Sequence, residues 1–244
     1  MTASGRIGIL GGTFDPFHLG HLAVAHVARR ALALDEVRII PSSVPLHRPV
    51  QPRASAHHRF AMAALGIANE PAFIVDDIEL TAGGPSYTAS TLSRLHQRGL
   101  GATQLFFIAG ADAFAEIATW REYPHVLDRA HFVVVSRPGR AVATLYDALP
   151  ALVSRMHRLQ GDNAAAVVDL SQPSILLIDA PTPDVSATMV RQRAGAGGLL
   201  TDLVPPLVAD HVTRHHLYDP APPQASPAAG PTKAVSPLHE QEPV

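Results

Sequence analysis

Six short runs of apolar and β-branched residues recur along the chain, at Arg6 to Leu10, Glu36 to Ile40, Phe73 to Leu80, Leu105 to Gly110, His131 to Ser136 and Ile175 to Asp179. Each reads as a strand, and the near-continuous apolar character of most of them fits strands buried on both faces. Between them the spacing changes to the helical period over His21 to Leu34, Ala56 to Ile67, Ser90 to Arg98, Asp112 to Ile117 and Ala143 to Leu159. Alternating strand and helix patterns predict an α/β fold, a Rossmann-like doubly wound parallel sheet, with ligands beyond the carboxyl ends of the strands. From Pro220 onward the periodicity stops, and seven prolines fall within the last 25 residues. That change predicts a folded domain over residues 1–219 followed by a Pro/Ala-rich disordered tail over 220–244.

Composition narrows the chemistry. Hydrophobic residues make up 47% of the 244 and charged residues 16%, a globular balance. The net charge of −2 supplies no global field for holding nucleic acid or an anionic membrane. The absence of cysteine excludes disulfide scaffolds, thiolate metal sites and cysteine nucleophiles. The N-terminus lacks a long apolar region, so a soluble, cytoplasmic protein is expected. Lys233 is the only lysine, and the other 18 basic residues are arginines. Phosphate chemistry in this domain therefore falls to arginine, histidine, backbone amides and metal.

The first strand runs into Gly11-Gly12-Thr13-Phe14-Asp15-Pro16-Phe17-His18-Leu19-Gly20-His21. The two glycines let a phosphate approach the backbone, and the helix that follows offers unpaired amides to an anion. His18 and His21 are spaced so that, on a helical turn, their imidazoles project to one side and can grip oxygens of one phosphate. A tight turn with one capping histidine is the plainer alternative. Neither a GxGxxG nor a GxxxxGK[ST] pattern is present, which disfavours hydride transfer and a P-loop. Further on, Gly110-Ala111-Asp112 closes a strong strand pattern, so Asp112 can accept from a ribose hydroxyl or cap the next helix. Ser186, Thr188 and Arg191 place hydroxyls and a guanidinium within one helical turn, for a triphosphate or for capping. Thr88 and Thr91 mark a helix start, and Trp120 is the only tryptophan, which alone reads as a core or anchoring aromatic. Arg59 and Arg137 are basic residues near strand ends that read first as solvated or structural. His211, His215 and His216 lack the partners of a metal site and suit a helix C-terminus.

The block GGTFDPFHLGH resembles the signature of the nucleotidyltransferases related to class I aminoacyl-tRNA synthetases, and specifically of the bacterial nicotinate-nucleotide adenylyltransferases. Three more blocks match in order: PSYTASTL from Pro85, FIAGADA from Phe107 followed by Trp120, and VSATMVR from Val185. The resemblance covers about residues 6 to 218. It implies adenylyl transfer from ATP to nicotinate mononucleotide, giving the deamido dinucleotide and pyrophosphate, with Mg2+ carried mainly on the ATP phosphates and few or no protein ligands. It implies that His18, His21 and Arg191 are catalytic. It assigns ATP to Gly11, Gly12, Thr13, Phe14, His18, His21, Gly110, Asp112, Ser186, Thr188 and Arg191. It assigns the acceptor to Asp15, Ser43, His47, Arg48, Thr88, Trp120 and Arg137. Two departures stand out: Ser90 where the family usually has aspartate, and Arg48 where many members carry lysine. Rival activities are adenylyl transfer to nicotinamide mononucleotide or phosphopantetheine, and a non-catalytic nucleotide sensor. A homo-oligomer is compatible with the sequence; neither nucleic acid nor a membrane is an expected partner.

Overall fold

The structure, a computed structural model, describes residues 5–45 and 51–220. His47, Arg48 and the tail from 221 onward lie outside the described residues. Seven parallel strands form the main sheet among the described residues: β1 (Ile7–Gly12), β2 (Glu36–Pro41), β4 (Phe73–Val75), β6 (Leu105–Gly110), β7 (His131–Val135), β8 (Met156–Leu159) and β9 (Ile175–Ile178). Two short strands, β3 (Val44–Pro45) and β5 (Pro85–Ser86), pair in parallel beside it. The strand order β4-β2-β1-β6-β7-β9-β8 places β1 against β6 at the centre. From β1 the chain winds outward to β2 and β4, and from β6 to β7, then to the edge strand β8 and back to β9 between them. That reversal opens a crevice beyond the ends of β1 and β6, where doubly wound sheets bind ligands.

Both faces of the sheet are covered, and the strand residues divide between two cores with period two. Phe106, Ile108, Val133, Val135, Leu176 and Ile178 face one core. That core is closed by α1 (Leu19–Leu32), α2 (Ala56–Gly66), α7 (Ala187–Gly195) and α8 (Pro206–Arg214). Leu105, Phe107, Phe132, Val134, Ile175 and Leu177 face the other, closed by α3 (Ile78–Ala82), α4 (Thr88–Gln97), α5 (Ala111–Ala115) and α6 (Thr144–Ala148).

Two expected elements differ. The run Phe73 to Leu80 is a strand only through Val75; the Asp76 carboxylate then accepts from the Ile78 amide at 3.0 Å and turns the chain into α3. The run Ala143 to Leu159 is not one helix. Pro150 cannot continue a helix interior. The chain passes instead from α6 through a 3-10 segment, Pro150–Arg155, into β8, which adds to the sheet edge at Met156↔Ile175.

One buried group sets an acid limit on the fold. The His131 ring is fully buried, stacks on Phe106 at 4.7 Å and accepts from the Ser174 amide at 3.2 Å. Burial lowers its pKa from the ordinary 6.5 to about 4. The unfolded chain therefore takes up a proton near 6.5 that the folded chain refuses until about 4. Stability is full above 6.5 and falls, as pH drops towards 4, by on the order of 3 kcal/mol from this group. In urea unfolding across that window, His131→Gln, which keeps an acceptor for Ser174, is expected to lose this part of the pH dependence. Parallel stability curves for the two proteins would contradict it.

Candidate active site

The loop from β1 to α1 is held in an unusual path by its own side chains. Phe14 lies in the left-handed region at φ 52° and is buried, and a Cβ on Gly12 would meet its ring at 2.7 Å. Only a residue without a side chain lets the ring fold back so closely. The loop then delivers His18 as the N-cap of α1, with extended backbone and a buried ring.

His18 and His21 come together as the helical spacing predicts, their rings stacked at 3.6 Å between centroids and 20° between planes. The His18 amide donates to His21 Nδ1 at 3.2 Å. With Nδ1 accepting, a neutral His21 ring carries its proton on Nε2 and is a donor there. Phe14 packs edge-on against the His21 ring at 4.9 Å, which fixes its plane. A Cβ on Gly20 would lie 3.1 Å from His18 Cε1 and Nδ1 and 3.3 Å from the Val185 carbonyl oxygen. Gly20→Ala is therefore expected to displace the His18 ring, with a turnover loss of roughly 10- to 100-fold if the ring acts on substrate. Single-turnover rates with unchanged circular dichroism check this, and full activity would contradict it.

Behind the loop lies a network of buried charges. The Arg59 side chain is 2% exposed; Nη1 donates to the carbonyls of Thr13 at 2.8 Å and Ser42 at 2.7 Å, and Nη2 to that of Ser43 at 3.1 Å. Burial disfavours its charge, and Asp15, Tyr218 and Glu79 offset that. Of the two readings of Arg59, the structural one holds. The buried Asp15 carboxylate accepts from the Arg53 amide at 2.9 Å, the Ala54 amide at 3.1 Å and the Tyr218 hydroxyl at 2.8 Å. Burial first, and then Asp15, push the Tyr218 phenol up, so it stays a neutral donor. Arg191 donates from Nη1 to the Asp15 carbonyl at 2.8 Å and from Nη2 to Thr188 Oγ1 at 3.0 Å. Ser186 Oγ accepts from the Met189 amide at 3.2 Å as the cap of α7, which leaves its own O–H free to donate.

Two cavities open at the carboxyl edge of the sheet. The larger, about 530 Å³, is walled by Gly11, Gly12, Thr13 and Gly110 on the sheet side and by Thr88 and Trp120 opposite. Trp120 packs edge-on against Phe107 at 5.9 Å and lines the cavity. The smaller, about 270 Å³, is lined by Gly20, Asp112, Arg137, Arg140, Asp184 and Val185. The segment from Gly12 to Gly20, which carries His18, links the two.

The other candidates differ in placement. Asp15 lines neither cavity, and neither do His18, His21, Ser186, Thr188 or Arg191; the Asp15 carboxylate is engaged by three donors of the chain. The Ser43 backbone is engaged internally, its amide donating to Ser86 Oγ at 2.8 Å and its carbonyl accepting from Arg59; its neighbour Ser42 lines the larger cavity. Phe14 supports the loop from beneath. Arg137, expected on the acceptor side, lines the smaller cleft, with Nη1 3.8 Å from Asp112. Sequence reasoning missed Arg140, brought beside Arg137 by a tight turn at Gly139, and Glu79. The Glu79 carboxylate lines the larger cavity and accepts from Thr91 Oγ1 at 2.5 Å. Burial pushes its pKa up, against hydrogen bonds from Ser86 and Thr91. His58 Nδ1 and His211 Nε2 lie 3.1 Å apart, but among the described residues no group of three or more His, Asp or Glu is arranged to hold a metal. No described helix is long and apolar enough to cross a membrane.

The family model for cytidylyltransferase-like proteins matches residues 9–193. A probable nicotinate-nucleotide adenylyltransferase of Roseiflexus sp. (strain RS-1) is 42% identical over 218 residues, which is 88% of this chain and 99% of that protein. One from Aeromonas hydrophila subsp. hydrophila is 40% identical over 216 residues, 88% of this chain and 98% of its own. The fold is that of the Plasmodium falciparum nicotinic acid mononucleotide adenylyltransferase complexed with NaAD, at TM-score 0.64 and 18% identity over 88% of this chain and 97% of that one.

Proposed function

Because the chain belongs to the cytidylyltransferase-like nucleotidyltransferases and, within them, to the nicotinate-nucleotide adenylyltransferase family, we propose that it transfers the adenylyl group of ATP to nicotinate mononucleotide in NAD biosynthesis. The observation that carries this reading is the stacked His18–His21 pair on a loop that joins two cavities. In this reading ATP occupies the smaller cleft with its α-phosphate at the loop, and the nicotinate ring occupies the larger cavity beside Thr88 and Trp120. An oxygen of the acceptor's 5′-phosphate attacks the α-phosphorus, the bond to the bridging oxygen breaks, and pyrophosphate leaves with that electron pair. The attacking phosphate is already ionised, so no general base is required. Alignment and charge stabilisation carry the rate. His21 Nε2 donates to the α-phosphate, His18 shares that charge, and Arg191 with the Ser186 and Thr188 hydroxyls holds the leaving group.

The residues fit a magnesium ion that arrives on the nucleotide: Asp112 and Asp184 are the carboxylates of the smaller cleft, and Mg2+ at nucleotide sites uses one or two carboxylates and keeps its waters. Bound there, it supplies neutralising charge to phosphate oxygens. The reading extends to a cytoplasmic enzyme with ATP and nicotinate mononucleotide as partners. Labelling ATP at the α-phosphorus tests it: the label is expected in a deamido dinucleotide, with unlabelled pyrophosphate. Label retained in ATP, with binding intact, would instead indicate a nucleotide sensor.

A further inference from the structure

The larger cavity has an electrostatic mismatch with an acidic acceptor. None of its lining residues is Lys, Arg or His, whereas Glu79 and Glu116 both line it. The cations near its wall face other groups: Arg59 holds three backbone carbonyls, Arg94 acts on Glu79 from α4, and Arg137, whose Nε would lie 3.3 Å from a Cβ on the lining residue Gly110, faces the smaller cleft 3.8 Å from Asp112. A substrate with a ring carboxylate would thus enter a space bounded by acids and hydroxyls. One more cation is close by. Arg121 is exposed and does not itself line the cavity, but it directly follows the lining residue Trp120, and its guanidinium carbon lies 4.8 Å over the ring of Tyr87. Tyr87 separates the lining residues Ser86 and Thr88. Arg121 thereby bridges two segments that line the cavity, and among the described residues it makes no ion pair. Stacking uses the face of a guanidinium and leaves its in-plane N–H donors available, the geometry that meets a carboxylate with two parallel hydrogen bonds.

We propose that Arg121 is a specificity-determining residue that pairs with the carboxylate on the acceptor's pyridine ring and so separates the acid from the amide acceptor. Tyr87 is its platform, holding the side chain beside the cavity when no acceptor is bound. This inference rests on the assignment of nicotinate mononucleotide to the larger cavity.

The test compares the full-length wild-type, Arg121→Gln and Arg121→Lys proteins with nicotinate mononucleotide and nicotinamide mononucleotide, each at saturating ATP and Mg2+. Arg121→Gln is expected to raise KM for the acid roughly tenfold, the scale of one charge-assisted hydrogen-bonded contact. Its kcat for the acid and both constants for the amide should stay within about twofold. Arg121→Lys, which keeps the charge but not the fork, should recover part of the loss. The acid KM of the wild type should rise with added KCl, and that rise should flatten in Arg121→Gln. Equal weakening of both acceptors, or no change with either, would overturn the proposal and leave the functional reading standing. A wild type that rejects nicotinate mononucleotide altogether would overturn the reading beneath it, and the proposal with it.

Discussion

Replacing His18 or His21 by alanine is expected to lower turnover by on the order of 10²–10³-fold, the scale of one lost donor at developing charge. The two rings touch, stacked at 3.6 Å, and the His18 amide sets the tautomer of His21. The pair therefore acts as a unit, and the double variant should lose far less than the product of the single losses. Nucleotide binding should survive, because the cavity walls of Gly110, Thr88, Trp120, Asp112 and Arg137 do not depend on either imidazole. Single-turnover rates and equilibrium ATP binding separate the two effects. Wild-type turnover in both single variants would remove the histidines from the mechanism.

The second large effect falls on a residue outside both cavities. Arg59→Met would leave the carbonyls of Thr13, Ser42 and Ser43 without their shared donor and would remove one of the cations that offset the buried carboxylates, leaving Asp15 with Arg191 at 3.9 Å and Glu79 with Arg94. A loss of about 3–5 kcal/mol is expected, as for other buried charges deprived of their partner. Lysine keeps the charge but cannot span three carbonyls, so Arg59→Lys should also be destabilised, by less. Because Thr13 belongs to the loop that leads to His18 and Ser42 to the cavity wall, turnover should fall even at temperatures where the variant is folded. Denaturant midpoints measure the first effect, and a change of under about 1 kcal/mol in Arg59→Met would contradict the role assigned to this guanidinium.

These effects also mark what could be read from the chain alone. The path Gly11 to His21 is a local structure: a strand, a sharp turn and a helix start, each with its own residue signature, so the histidines could be paired from spacing. Asp112 at a strand end and Thr88 at a helix start left a binding and a capping reading open, and Trp120 alone read as a core aromatic; their nucleotide roles came from the family resemblance. The buried network was not legible. Asp15 meets Tyr218 across 203 positions and Arg59 reaches Thr13 across 46, distances over which no local pattern reports contact. The helix expected over Ala143 to Leu159 failed because apolar residues of a short edge strand imitate a helical face until a proline and a strand partner decide between them.

The central claim is adenylyl transfer to an acidic pyridine nucleotide. It is tested most directly by the rate of magnesium-dependent pyrophosphate release from ATP with nicotinate mononucleotide, nicotinamide mononucleotide and phosphopantetheine compared side by side. Release with nicotinate mononucleotide far above that with either other acceptor is the predicted result. Faster release with nicotinamide mononucleotide or phosphopantetheine, or none with any of the three, would contradict it.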